Sequence, residues 1–123
     1  METPSEHKSP EELVILFADD EESLQELMRL ELPRMGHRVT VCPNGVTALH
    51  ALNEQAFDCL LIDLDMPGLS GIDVIEQASD ISPDMDVIIL TGKSSLESAI
   101  AAVRFGVFEY LTKPCKLADL KAL

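Results

Sequence analysis

The sequence predicts an open, doubly wound α/β fold, in which a five-stranded parallel sheet carries helices on both faces. Short apolar runs alternate with stretches of helical periodicity along the chain, and Pro and Gly residues separate them. The chain has 123 residues, of which 46% are hydrophobic, enough to build one buried core. We therefore expect a polar tail over residues 1–10 and a single domain over residues 11–123.

The chain is strongly acidic, with a net charge of −13 from 22 acidic and 9 basic residues. Excess acid repels phosphate backbones and anionic lipids, so we expect this segment to bind neither nucleic acid nor a membrane surface itself. The start resembles no targeting peptide, and the longest apolar run is far shorter than the roughly 20 residues of a membrane span. These observations predict a soluble, cytoplasmic protein.

Three cysteines are interpreted as buried structural residues. They form no close pair and no metal-type spacing, and their odd number argues against a disulfide framework. The residues concerned are Cys42, Cys59 and Cys115.

The first strand and helix are separated by acidic residues. Residues 13–18 are continuously apolar, as expected of a central parallel strand that is buried on both faces, and the run stops at an acidic sequence. Helical spacing follows over residues 24–32, and Pro33 and Gly36 are expected to end that helix. Residues 37–41 alternate as a second strand, whose polar content predicts a position near an edge.

The middle of the chain continues the alternation. Asn44 and Gly45 begin a second helix, for which the spacing predicts a buried stripe of Val46, Leu49, Ala51 and Leu52. Residues 57–62 form the third strand and residues 71–78 a third helix. Residues 87–90 are expected to form the fourth strand.

The last part of the chain predicts a fourth helix, a fifth strand and the beginning of a fifth helix. Ser94 or Ser95 is expected to cap the fourth helix, whose apolar face is assigned to Ala99, Ala102 and Val103. Residues 108–111 form the fifth strand, and residues 116–123 give only about two helical turns. We therefore expect the last helix to be truncated and the native chain to continue.

Polar groups follow four of the five strands. In doubly wound sheets, sites form beyond the carboxyl ends of the strands, where the strand order reverses. Three carboxylates at one such rim repel each other unless a cation offsets them, and Mg²⁺ prefers carboxylate and phosphate oxygens. A lysine and a hydroxyl nearby suit a phosphoryl group, so the pattern favours phosphoryl transfer onto a carboxylate. The residues at this rim are Asp19, Asp20, Asp63, Thr91 and Lys113.

Five blocks of the sequence resemble, in their order and spacing, the receiver domain of bacterial two-component response regulators. The blocks are LVILFADDEESL, GHRVTVCPNGVTAL, FDCLLIDLDMPGLSGID, VIILTG and FGVFEYLTKP, and they extend over nearly the whole chain from Leu13. No single block is specific, but the five together are. The resemblance implies the flavodoxin-like, CheY-like strand order 2-1-3-4-5, with residues 11–123 as the receiver domain.

The resemblance also implies roles for individual residues. Asp63 would be the phosphoacceptor, and Asp19 and Asp20 would be the acidic pair that holds Mg²⁺ together with it. Lys113 would pair with the phosphoryl group and would precede Pro114 through a cis peptide bond.

Further residues would modulate the site or report its state. Thr91 would be the switch hydroxyl that moves to the phosphoryl group, and Tyr110 would follow it by changing rotamer. Gly92 would leave room for the phosphodonor, and the backbone carbonyl of Asp65 would add a metal contact. We also hypothesise that Asp65 and Lys93 pair across the mouth of the site and limit the approach of water.

The implied function is a signalling switch and not an enzyme. A sensor histidine kinase or a phosphotransfer protein would supply the phosphoryl group, and a change at the face of the fourth helix and fifth strand would relay it. The domain's own chemistry would be self-catalysed phosphotransfer and slow autodephosphorylation. The helix pattern is similar to that of receivers joined to a C-terminal transcriptional output domain, whereas homodimerisation is left open.

Two alternatives remain from the sequence. Asp63-Leu64-Asp65 after an apolar strand resembles the nucleophile and acid/base pair of a haloacid-dehalogenase-type phosphohydrolase. Pro67 stands where such enzymes carry a hydroxyl residue, and the chain lacks room for a substrate cap. The other alternative is a pseudo-receiver, an interaction module with the fold but no phosphorylation.

Overall fold

The computed structural model describes residues 12–92 and 96–113, which form five strands and four helices in strict alternation. The strands are β1 (Val14–Ala18), β2 (Arg38–Cys42), β3 (Cys59–Ile62), β4 (Asp86–Thr91) and β5 (Glu109–Thr112). The helices are α1 (Glu22–Arg34), α2 (Gly45–Glu54), α3 (Gly71–Ile81) and α4 (Leu96–Arg104). Several expectations lie outside the described residues: the polar tail, Lys93, the serine cap of α4, Pro114, Cys115 and the last helix.

The five strands form one parallel sheet in the order β2-β1-β3-β4-β5. This order confirms the predicted fold class and the predicted edge position of β2. The chain crosses over between β2 and β3, so β1 and β3 are neighbours at the centre of the sheet. In their register Ala18 pairs with Ile62, and their carboxyl ends therefore lie side by side.

Both faces of the sheet are covered, which explains the continuous apolar runs of β1 and β3. Alternate strand residues point to opposite sides and build two buried clusters. The cluster against α2 and α3 includes Leu16, Ala18, Leu60, Ile62 and Ile89. The cluster against α1 includes Ile15, Phe17, Leu61, Ile88 and Leu90, together with Met28 and Leu32 from the helix. Cys42 and Cys59 are buried and free, as expected for structural residues.

The end of α1 differs from the prediction. The helix continues through Pro33 to Arg34, because a proline in the last turn removes one backbone donor but has a φ that fits a helix. The Met35 backbone amide donates hydrogen bonds to backbone carbonyls in the last turn of the helix. Gly36 follows with a φ of +90° and turns the chain. Pro33 therefore lies within the helix, and the glycine marks its true end.

Two predicted buried faces are partly wrong. In α2, Leu52 is buried as predicted, but Val46 is 66% exposed, and Gly45 and Ala48 are buried in its place. In α4, the expected face included Val103, which is 84% exposed, and Ala99, which is also exposed. Small side chains occupy the side of α4 next to the sheet, namely Ser98 and Ala101. Ala102 is partly buried as predicted, but apolar spacing selected Ala99 and Val103 and passed over the polar Ser98.

None of the helices in the described ranges is long and apolar enough to cross a membrane.

Candidate functional site

Three carboxylates meet at the carboxyl ends of β1 and β3. Asp19 follows β1 and Asp63 follows β3, and the pairing of the two strands brings them together. Ligand oxygens of Asp19, Asp20 and Asp63 all lie within 4.8 Å of one another. Asp19 is 0% exposed and Asp63 is 2% exposed, whereas Asp20 faces solvent. The structure thus assembles the acidic cluster that the strand ends predicted.

Asp19 is held by the first turns of α1. Its Oδ1 accepts a hydrogen bond from the Glu21 amide at 2.9 Å, and its backbone carbonyl accepts one from Gln25 Nε2 at 2.7 Å. Gln25 is only 8% exposed and was missed by the sequence analysis. Gln25 lies on the buried side of α1 together with Met28 and Leu32. A polar residue among these buried apolar positions was the sequence signal that could have indicated its role.

Lys113 brings a positive charge into the acidic cluster. Its Nζ lies 2.9 Å from Asp19 Oδ2, 3.3 Å from Glu21 Oε2 and 3.5 Å from Asp63 Oδ2. The backbone positions it, because the Lys113 amide donates to the Thr91 carbonyl at 2.8 Å. Burial lowers the pKa of Lys113, but the neighbouring carboxylates outweigh burial and leave this pKa raised. The lysine therefore stays charged, and Glu21 is a partner that the sequence analysis missed.

The surroundings of the Asp63 carboxyl destabilise its charged form. Burial, followed by the charge of Asp19, raises the pKa of Asp63 to about 6, although Lys113 and the Asp65 amide act in the opposite direction. The Asp65 amide donates to Asp63 Oδ1 at 3.3 Å and so helps to orient the carboxylate. A cation placed among these oxygens would relieve the repulsion.

The donor set fits a hard divalent cation. Asp19 Oδ2 is buried and makes no hydrogen bond in the described structure, although the Lys113 ammonium lies at ion-pair distance. The three side chains of the acidic cluster all offer carboxylate oxygens, and the cluster contains no nitrogen or sulfur ligand. Oxygen-only sites with a few carboxylates suit Mg²⁺. The residues present therefore fit the expected metal.

Thr91 and Tyr110 lie on the same side of the sheet and are connected through α4. Thr91 ends β4 and is 1% exposed, and Tyr110 of β5 pairs in register with Ile89, two residues before Thr91. The hydroxyl groups of Tyr110 and Ser98 are hydrogen-bonded, with 2.6 Å between the oxygens. Thr91 and Ser98 line one cavity of about 150 Å³, to which Asp65 also contributes. Ser98 was missed by the sequence analysis because it was assigned to no face of α4.

Two glycines border the site in different ways. A Cβ on Gly71, the first residue of α3, would lie 2.3 Å from the Asp63 carbonyl oxygen and 2.6 Å from Leu64 Cα. The helix thus begins in direct contact with the loop that carries Asp63, which the sequence analysis did not foresee. Among the described residues, a Cβ on Gly92 would meet only Lys113 Cδ, at 4.0 Å. The role of Gly92 in leaving room for the phosphodonor stays a prediction.

Comparison with known proteins places this arrangement in a defined class. The family model of the response regulator receiver domain matches residues 15–123. The chain belongs to this family of two-component signalling domains. This confirms the resemblance seen in the five sequence blocks and leaves the phosphohydrolase alternative without support. Receivers are signalling domains and not enzymes with external substrates.

Individual relatives agree with this assignment. The transcriptional regulatory protein YkoG of Bacillus subtilis is 33% identical over 108 residues, which are 88% of this chain and 47% of that protein. A receiver domain structure from Clostridium thermocellum is 36% identical with a TM-score of 0.81, and the match covers 89% of this chain and 88% of the other. The response regulator TrrA of Thermotoga maritima, solved in complex with Mg²⁺-BeF, is 30% identical with a TM-score of 0.79. That match covers 89% of this chain and 93% of TrrA.

The curated relatives are longer than this chain. The chain spans between about a quarter and about half of the length of the first of them, which are multidomain transcriptional regulators.

Proposed function

We propose that this receiver accepts a phosphoryl group on Asp63 in a Mg²⁺-dependent reaction and acts as a phosphorylation switch. The observation that carries the proposal is the position of Asp63, a buried carboxylate beside two further acids and 3.5 Å from the Lys113 ammonium. An acidic pair or a lysine on its own could be ordinary surface charge and would not indicate a site. Their convergence with Asp63 at the carboxyl edge of the sheet supports phosphoryl chemistry on a carboxylate.

We assign Mg²⁺ to the carboxylates of Asp19, Asp20 and Asp63 and to the backbone carbonyl of Asp65. The related TrrA, whose structure holds Mg²⁺ and BeF, supports this assignment. When bound, the metal supplies positive charge that offsets the carboxylates and the phosphoryl oxygens. Gln25 and the Glu21 amide keep Asp19 in place for this role.

The transfer step uses residues of this chain directly. A carboxylate oxygen of Asp63 attacks the phosphorus of a phosphohistidine, the P–N bond breaks, and its electron pair stays on the imidazole nitrogen, which takes up a proton from water. The Lys113 ammonium and the Thr91 hydroxyl donate hydrogen bonds to the phosphoryl oxygens as charge develops on them. The Asp65 amide keeps the attacking carboxylate oriented.

The switch is relayed by Thr91 and Tyr110 to the face formed by α4 and β5. The donor is a sensor histidine kinase or a phosphotransfer protein, and the phosphorylated state ends by slow autodephosphorylation in the cytoplasm. We place the chain as the N-terminal regulatory part of a longer response regulator with a transcriptional output domain. The multidomain transcriptional regulators among its relatives support this placement. Dimerisation of two receivers is compatible with it.

The proposal is tested by intact mass after incubation with Mg²⁺ and a small acyl phosphate. The parent protein is expected to gain one phosphoryl group and Asp63→Asn none. Asp84→Asn, which removes an exposed acid in the α3–β4 turn, serves as the matched control and is expected to gain the group. If the folded parent protein gains no mass, the pseudo-receiver alternative replaces this proposal.

A further inference from the structure

A short, partly buried hydrogen bond joins α4 to β5. The oxygen atoms of Ser98 and Tyr110 are 2.6 Å apart, and Ser98 is 3% exposed. The two residues belong to different elements, so this bond fixes the position of the helix relative to the strand. Because Ser98 is buried, water competes little for its hydroxyl, which strengthens the bond.

Besides this bond, the described part of α4 has few buried contacts with the sheet, among them the partly buried Ala102. Among residues 96–104, only Ser98 and Ala101 are buried, and both are small. The larger apolar side chains face solvent: Leu96 is 79%, Ile100 56% and Val103 84% exposed. Apolar burial contributes in proportion to the area removed from water, so two small side chains anchor the helix weakly.

Ser98 also borders the residue assigned to the switch. It lines the same cavity as Thr91, which has a volume of about 150 Å³. Tyr110 is placed on that side by its pairing with Ile89, two residues before Thr91. A displacement of the Thr91 side chain toward Asp63 therefore changes the cavity wall that Ser98 shares.

We propose that Ser98 is a positioning residue of the switch: its hydroxyl fixes the Tyr110 ring and thereby couples movement at Thr91 to the position of α4. The proposal rests on the phosphorylation proposed above. Ser98 is not one of the residues assigned to phosphoryl transfer or to the acidic cluster, so its loss is expected to spare phosphorylation and to abolish the response of Tyr110.

The chain offers a direct reporter for this coupling. Tyr110 is its only tyrosine and it contains no tryptophan, so tyrosine emission comes from one side chain. We would measure this emission and its quenching by acrylamide in the full chain, before and after addition of Mg²⁺ with beryllofluoride, a phosphoryl analogue. The variants are Ser98→Ala and, as the matched control, Ser79→Ala, which removes an exposed α3 hydroxyl bonded to the Glu76 carbonyl.

The first arm needs no phosphorylation. In metal-free buffer, Ser98→Ala is expected to increase quenching of Tyr110, because the ring loses its partner, whereas Ser79→Ala leaves quenching unchanged. Equal quenching in the parent protein and in Ser98→Ala would show that the hydrogen bond does not position the ring, and it would overturn the proposal.

The second arm tests the coupling. Beryllofluoride is expected to shift the emission of the parent protein and of Ser79→Ala, and the shift is expected to be lost in Ser98→Ala, although this variant still gains one phosphoryl group by intact mass. A full shift in Ser98→Ala overturns the coupling while the phosphorylation proposal stands. No mass gain in any variant overturns the proposed function, and the coupling proposal with it.

Discussion

The Lys113 ammonium lies 2.9 Å from the buried Oδ2 of Asp19, closer than its 3.5 Å distance from Asp63 Oδ2. The lysine is thus paired mainly with Asp19 of the acidic cluster, and it neutralises the negative charge of Asp63 only in part. Burial and then the charge of Asp19 raise the pKa of Asp63, and the opposing effect of Lys113 does not cancel them. Under the proposed function, a phosphoryl group on Asp63 would compete with these carboxylates for the Lys113 ammonium.

The first prediction concerns Asp63→Asn in metal-free buffer. The folded-state pKa of about 6 lies above the ordinary 3.8, so the native state binds the proton more tightly than the unfolded state between these values. The free energy of unfolding therefore falls as pH rises through this window. Asp63→Asn removes this cost and is expected to be more stable than the parent protein by up to about 3 kcal/mol near neutral pH. The difference should disappear below about pH 4.

Urea unfolding in EDTA across this pH range measures the effect. Asp80→Asn, which removes an exposed acid on α3, is the control and is expected to stay within about 0.5 kcal/mol of the parent protein. A parent protein that becomes more stable than Asp63→Asn as pH rises would contradict the assignment.

The second prediction concerns Mg²⁺ and Asp20. Binding to the native state alone raises the free energy of unfolding by about 2.7 kcal/mol when free Mg²⁺ is about 100 times its Kd. Asp20 is exposed, so Asp20→Asn removes a ligand without disturbing the core. We expect this variant to require more Mg²⁺ for the same rise in melting temperature. Asp80→Asn should titrate like the parent protein, and an equal response of all three proteins would exclude Asp20 as a ligand.

The strands of the fold were predictable because strands that are buried on both faces appear in the sequence as continuous apolar runs. The predicted bounds of strands and helices are nevertheless displaced: β3 begins at Cys59 and not at residue 57, and α3 continues to Ile81. Hydropathy places Phe57 with the strand because it is buried, yet it lies in the preceding loop. The bounds of an element depend on backbone hydrogen bonds, which composition does not record. The strand order came from the family resemblance and not from the residues alone.

The carboxylates of the site were predictable because each of them follows a strand. Glu21, Gln25 and Ser98 were not, since their roles depend on contacts between separate elements. The Glu21–Lys113 contact joins residues 92 positions apart, and nothing near either residue indicates the other. Ser98 pairs with Tyr110 only because α4 turns its small side chains toward the sheet.

The third prediction compares two glycines at the site. Gly71→Ala places a Cβ within 2.6 Å of backbone atoms of the Asp63 loop, so the loop or α3 must shift. We expect destabilisation of about 2 kcal/mol or more and slower phosphorylation of Asp63. In the described part of the chain, the new Cβ of Gly92→Ala meets nothing closer than 4.0 Å, so this variant should fold with parent stability. Thermal unfolding and intact-mass time courses of both variants distinguish them; similar losses of stability would refute the packing argument.

The fourth prediction is the hypothesis that Lys93 pairs with Asp65 across the mouth of the site. Lys93 lies outside the described residues, so the pairing stays a prediction from the sequence. Lys93→Ala is expected to change the lifetime of phosphorylated Asp63, because the approach of attacking water is no longer restricted. The decay of the phosphorylated mass after donor removal measures this lifetime. An unchanged lifetime would reject the hypothesis.

The last prediction concerns Glu21, which competes for Lys113 from the solvent side. Its Oε2 lies 3.3 Å from Nζ, and the residue is about half exposed. Glu21→Gln removes one negative charge from the path of an anionic donor and frees the lysine from one partner. At saturating Mg²⁺ and low salt, we expect phosphorylation by a small acyl phosphate to accelerate roughly twofold to fivefold.

Glu22→Gln provides the control, because it removes the same charge from the neighbouring exposed position in the first turn of α1. High salt should reduce the acceleration in Glu21→Gln, since screening weakens attraction and repulsion at exposed groups. A greater effect of Glu21→Gln than of Glu22→Gln assigns the difference to the contact with Lys113. Equal rates in the two variants would mean that only the net charge of the site mouth matters, and that Glu21 does not hold the lysine back from the phosphoryl group.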